Sequence, residues 1–243
     1  LSLLLFICGQ PLSAQAALAF VGSTYVSFAS GDPSTPAYNL SANHLFVCSV
    51  SWEKIGGGIT VSSVTDSAGN TYTASTLRQP ESATQFLQLW YVKNTAAHAS
   101  NVTTVAFSAA PAAGSIMLGC DDFSGTDLTT PLDANVFGDE ISDTVTSPAF
   151  STVTNDEILY AVFTSSVYYN AAWSTPSGWT AGMSGYTMVS GLSTFYKIVS
   201  ATQSSITVAS TMSVSGFAGV EVMTFEIASA ASPVPLRRRI RME

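Results

Sequence analysis

Runs of β-forming residues that alternate between two faces recur every ten to fifteen residues from Phe20 to Ile227, and helical periodicity is almost absent. That rhythm restricts the chain to an all-β fold. The spacing predicts strands over Phe20–Ala29, His44–Trp52, Thr84–Lys93, Asn101–Ser108 and Ser115–Phe123. In the second, Phe46, Cys48, Val50 and Trp52 share one face, and Leu45, Val47, Ser49 and Ser51 share the other. The stretch Ile59–Ser75 predicts a β-hairpin, because Gly69 and Asn70 tolerate the positive φ of a tight reversal and Asp66 can accept hydrogen bonds from the amides that follow it.

The pattern then repeats. Glu157–Ser165 corresponds to Leu45–Trp52, Ser177-Gly178-Trp179-Thr180 to the turn at Gly69–Thr73, Phe195-Tyr196-Lys197 to Trp90–Lys93, and Gly219–Phe225 to Ile116–Phe123. Offsets shrink smoothly from about 114 to 102 along the chain, as in a diverged duplication. The predicted repeat halves are residues 42–125 and 156–228, each a unit of four to five strands. Such a unit cannot bury both of its apolar faces alone, so the expected architecture is a two-sheet antiparallel sandwich of jelly-roll type, a single domain over residues 17–228. Thr126–Asp143, rich in acids and turn-formers, is expected to be the connecting loop.

Both ends differ from this body. Residues 1–16 combine a short apolar run, Leu1–Cys8, with a small-x-small site at Ala14-Gln15-Ala16, and are expected to be a secretory leader on a chain that starts upstream. The alternative is an N-terminal strand that stays in the fold. No stretch approaches the roughly 20 apolar residues of a spanning helix. Residues 229–243 form a basic tail with Arg237, Arg238, Arg239 and Arg241, expected to be flexible. Without it, four basic residues against fifteen acids leave the body at −11, which repels phosphate backbones and argues against a nucleic-acid partner. Charged residues are only 10% of the chain, so the surface must be largely hydroxyl and amide, as in extracellular β-rich proteins.

Chemistry-bearing motifs are sparse. His44 and His98 have no companion at metal-ligand or triad spacing, and there is no phosphate loop or nucleophile elbow. Asp121 and Asp122 stand at a strand end ahead of the acids of the connecting loop. A glycoside hydrolase needs two carboxylates about 5 to 10 Å apart across a cleft. A calcium site needs several converging loop oxygens, whereas the Asp-x-Asp-x-Asp-Gly order is missing, so calcium is the weaker reading of a solvated loop and no other cofactor is implied. Tyr168, Tyr169 and Trp173, between two strands, are candidate ligand contacts together with Asp121 and Asp122, because aromatic faces stack on sugar rings and anchor interfaces. Cys48 and Cys120 lie in apolar strands; they are read either as two buried small side chains or as the disulfide that secretion permits.

The segments Ser63–Tyr72, Leu89-Trp90-Tyr91, Phe123–Asp127 and Pro131-Leu132-Asp133 give the chain, from about Phe20 to Ile227, a resemblance to jelly-roll-like domains of secreted bacterial proteins and phage tail proteins. These are turn and core signatures. The resemblance implies an extracellular β-sandwich and carries no shared catalytic residues. The expected function is a secreted, non-enzymatic β-sandwich for surface adhesion, matrix or filament assembly, or glycan contact, with self-association among its expected partnerships. The alternatives are a structural component of a phage tail or virion, and a carboxylate-based glycoside hydrolase.

Overall fold

Strand β3 (Leu45–Glu53) shows how the molecule is layered, since both of its alternating faces are buried. The computed structural model describes residues 17–53, 58–80, 85–111, 115–166, 173–183 and 191–227. Among them the first half supplies β1 (Ala19–Ala29), β2 (Tyr38–Leu40), β3, β4 (Val61–Asp66), β5 (Thr73–Ala74), β6 (Gln85–Val92), β7 (His98–Asn101), β8 (Thr103–Phe107) and β9 (Ile116–Ser124). The second half supplies β10 (Leu132–Thr146), β11 (Glu157–Ser165), β12 (Thr180–Ala181), β13 (Leu192–Val199) and β14 (Ala209–Glu226). One sheet has the order β1-β9-β3-β6-β5 and the other β10-β14-β11-β13-β12, all antiparallel neighbours. The all-β, multi-sheet fold expected from the alternation is therefore present.

The two five-stranded sheets meet through Leu45, Val47, Leu87, Leu89, Met117 and Phe123 of the first and Ile158, Tyr160, Val162, Met223 and Phe225 of the second. Tyr91 meets Phe225 edge-on at 5.6 Å, and Phe20 stacks on Tyr196 at 4.7 Å. The outer face of the first sheet, with Phe46, Cys48, Val50 and Trp52, is covered by the small pairs β2-β7 and β4-β8, which contribute Leu40, Val61, Val64 and Val105. On the second sheet's outer face, Leu159, Ala161, Phe163 and Phe195 lie under Val145, Phe150, Trp173, Val208 and Met212. Each central strand is thus buried on both sides, which is why β3, β9 and β11 read as nearly continuous buried runs.

Two expectations change. The stretch Ile59–Ser75 is not a hairpin: β4 pairs with β8 in the cover, whereas β5 pairs with β6 in the first sheet. The turn is a corner between layers. Gly69 takes φ +75° and its N–H donates to the Asp66 carbonyl. The Asp66 carboxylate accepts from Asn70 N at 2.9 Å, Asn70 Nδ2 at 2.7 Å and Tyr72 Oη at 3.0 Å. The corner at Gly178, φ +76°, likewise leads into β12, which pairs with β13 as β5 pairs with β6. Second, most of Thr126–Asp143 is strand: β10 starts at Leu132 and runs along β14. Its acids mark it as an edge, where solvent reaches one side, and local composition does not separate an edge strand from a loop. The strand expected over Asn101–Ser108 is present as β8, preceded by β7, both in the cover layer.

Cys48 and Cys120 face each other across β3 and β9 and are joined by a disulfide, with Cα atoms 4.0 Å apart. Residues 1–16 and the basic tail lie outside the described residues; among the described residues no helix is long and apolar enough to cross a membrane.

Candidate functional site

Asp121 and Asp122 are neighbours on β9, so strand geometry sends their side chains to opposite faces. They do not form a pair across a cleft. Asp121 points between the sheets, fully buried, and its Oδ2 accepts from Tyr160 Oη and Thr194 Oγ1, both at 2.7 Å. Ser49 Oγ extends the network to Tyr160 at 3.3 Å. The other carboxylate oxygen of Asp121, Oδ1, has no hydrogen-bond partner among the described residues. Burial raises the Asp121 carboxyl to about 6, against the lowering effect of those two donors.

Asp122 points outward, under the cover. Tyr38 Oη donates to its Oδ2 at 3.1 Å, and His44 Nδ1 lies 2.8 Å from its Oδ1, the proton residing on the ring when the carboxylate is ionised. Burial raises Asp122 as well, opposed by the charge and hydrogen bond of His44. The same neighbourhood pushes the Tyr38 phenol above its ordinary range, through burial first and Asp122 second. Glu221 is a third buried acid: its Oε1 accepts from Asn135 Nδ2 at 3.0 Å and faces Arg78 Nε at 3.4 Å, and burial raises it to about 7.

Trp173 is not open to a ligand. It is 4% exposed, bridges to Met212 and packs against Phe163 at 5.2 Å. A tryptophan between strands is as suited to covering a sheet face as to meeting a partner, and here it covers. Tyr168 and Tyr169 lie outside the described residues. Among those residues no group of three or more His, Cys, Asp or Glu is placed to hold a metal ion.

A concave surface among the described residues lies elsewhere. A groove of about 550 Å³ is lined by Ser23, Thr24, Tyr25, Val26 and Ser27 of β1 and by Pro36, Ala37 and Tyr38. Hydroxyls and aromatic rings line it, and no charge does. Tyr38 forms its wall by lying over β1 at Gly22, where an added Cβ would come within 2.8 Å of the phenol oxygen. Asp122 and His44 hold that ring from beneath, and Phe46 stacks against it at 6.0 Å. The outward acid of the Asp121-Asp122 pair is therefore a positioning group for the groove wall. Nothing in the sequence marked Ser23–Ser27; the one signal was Gly22 inside a strand, which signals close approach by another group.

Fold and groove together define an all-β protein of two covered sheets with an uncharged groove at one sheet edge. No protein-family model, no curated protein and no solved structure matches the chain.

Proposed function

We propose that this is a secreted, non-enzymatic β-sandwich that works by surface contact, in adhesion, in matrix or filament assembly or on a glycan. The observation that carries the reading is the groove: a concave surface of hydroxyl and tyrosine side chains with no carboxylate, imidazole, amine or thiol in its lining. It offers contact and shape, the components of recognition, without the paired proton donors and acceptors of a hydrolase. Two further features support it. The Cys48–Cys120 disulfide is a bond that persists in oxidising, extracytoplasmic compartments. The imidazole and carboxylates that are present serve internal contacts, His44 and Asp122 under the groove wall and Asp121 between the sheets.

A glycan array, binding to intact cells and sedimentation of the purified chain test the proposal. Binding above background in at least one of the three is expected, without turnover of the bound glycan. Failure in all three, or release of reducing sugar from an array ligand, refutes it.

A further inference from the structure

We propose that the acidic end of the second sheet, around Asp133, Glu157 and Glu226, binds an arginine-rich segment, and that the segment is this chain's own Arg237–Arg241. This surface is separate from the groove and independent of the surface role above.

Strand alternation builds the patch. Leu159, Ala161 and Phe163 of β11 and Val220 and Val222 of β14 face outward, so Glu157, Thr224 and Glu226 share that face where the two strands end. Glu157 and Glu226 are direct cross-strand partners, the position in which like charges repel most. Asp133, from the bulged start of β10, joins them: its Oδ2 accepts from Val153 N at 3.0 Å and lies 3.5 Å from Thr224 Oγ1. Asp127 N donates to the Glu226 carbonyl at 2.9 Å and Ile227 N to the Asp156 carbonyl at 3.2 Å. Asp127 and the exposed Asp156 therefore stand where the described chain leaves the sheet.

The patch carries more charge than the described residues neutralise. Burial raises the Glu226 carboxyl, and the charges of Asp133 and Asp127 raise it further. Burial also raises Glu157, against its hydrogen bonds from Thr154, with Asp133 adding to the rise. Glu157 Oε1 accepts from Thr154 N at 2.8 Å and Thr154 Oγ1 at 3.0 Å, whereas Oε2 is buried with no partner among the described residues. A buried carboxylate oxygen of this kind calls for a donor from elsewhere. Lys93 stands near Asp127, yet none of the five carboxylates forms an ion pair with a described lysine or arginine.

The spread of the acids selects the occupant. A metal ion needs its ligands within one coordination sphere, and among the described residues no three acids are so placed. Guanidinium groups spaced along a chain instead meet carboxylates spread over a surface, each through up to two hydrogen bonds. Arg237, Arg238, Arg239 and Arg241 are such a set, and Ile240 among them matches Val153, which is 73% exposed beside Asp133. Only nine residues, 228–236, separate Ile227 from Arg237. They span at most about 30 Å, which keeps the arginines near the patch at an effective concentration of about millimolar. The tail of a second copy has no such advantage.

Amide NMR of the full chain, against a variant carrying Arg237→Ser, Arg238→Ser, Arg239→Ser and Arg241→Ser, tests the proposal. Expected at low ionic strength are differences confined to the amides around Asp127, Asp133, Val153–Glu157 and Glu226. They should vanish near 1 M NaCl, where the screening length is about 3 Å. A peptide spanning Leu236–Glu243, added to the variant, should reproduce them. Asp156→Asn with Glu226→Gln, both at positions that solvent reaches, should weaken that peptide about fivefold. The proposal is overturned if the differences are absent, spread evenly over the acidic body or centred on Asp139–Asp143. It is overturned equally if millimolar calcium rather than the peptide moves these amides, or if the differences grow with protein concentration, which would assign the contact to a second copy.

Discussion

Stability should fall as pH rises through the weakly acidic range, and Asp121 sets the first step. Its folded carboxyl titrates at about 6 against an ordinary 3.8. Below the lower value both folded and unfolded chains hold the proton, and the group contributes no pH dependence. Between the two values the unfolded chain releases its proton first, so each pH increment favours unfolding; above about 6 the loss is complete. At 1.36 kcal/mol per pH unit of difference, Asp121 removes about 3 kcal/mol between pH 3.5 and 7.5. Glu221, raised from 4.5 to about 7, behaves in the same direction with a comparable size. Urea unfolding with the disulfide intact, from pH 3.5 to 8, measures the slope. Asp121→Asn keeps the acceptor for Tyr160 and Thr194 and cannot ionise, so its stability should fall by about 3 kcal/mol less over that range than the wild type's. A wild-type chain that becomes more stable towards pH 7.5, or an Asp121→Asn curve parallel to the wild type, refutes the reasoning.

Four further outcomes are expected. Replacing Cys48 and Cys120 with Ala should lower stability by about 4 kcal/mol, the chain-entropy value for a cross-link of this span, read by urea midpoint. Asp66→Ala leaves the Asn70 and Tyr72 donors of the first corner without their acceptor, a loss of about 2–4 kcal/mol in the same assay. Gly69→Ala and Gly178→Ala, each at a left-handed φ, should each cost about 1–2 kcal/mol. Gly22→Ala should displace the Tyr38 ring, seen as a change in tyrosine fluorescence and loss of whatever ligand the groove holds.

The alternation of β3 was legible in full: Phe46, Cys48, Val50 and Trp52 enter the outer cluster, Leu45 and Val47 the inner one, and Ser49 and Ser51 reach Tyr160 and Thr164 between the sheets. Strand partners were not. Asp66–Asn70 has the composition of a hairpin turn and performs the turn's local chemistry, yet which strand each flank joins depends on β6 and β8, tens of residues away. A reversal in the chain is a local property, whereas membership of a sheet is decided by the apolar face each strand must bury.

The acids illustrate the same limit from the other side. Asp121 and Asp122 looked like a functional pair because they are adjacent and acidic, and adjacency on a strand is what separates them. One is sealed against Tyr160 and Thr194 between the sheets; the other holds Tyr38 over Gly22. Burying a carboxylate costs several kcal/mol unless donors meet it, so such residues are retained where they order something that apolar side chains would leave loose. For Asp122 that is the orientation of a ring forming the wall of the groove. Asp122→Asn should preserve the Tyr38 hydrogen bond while Asp122→Leu abolishes it, so a ligand that reads the groove's shape should tolerate the first change and lose affinity with the second. Equal loss in both would mean that the charge itself, rather than the ring it positions, is what the ligand meets.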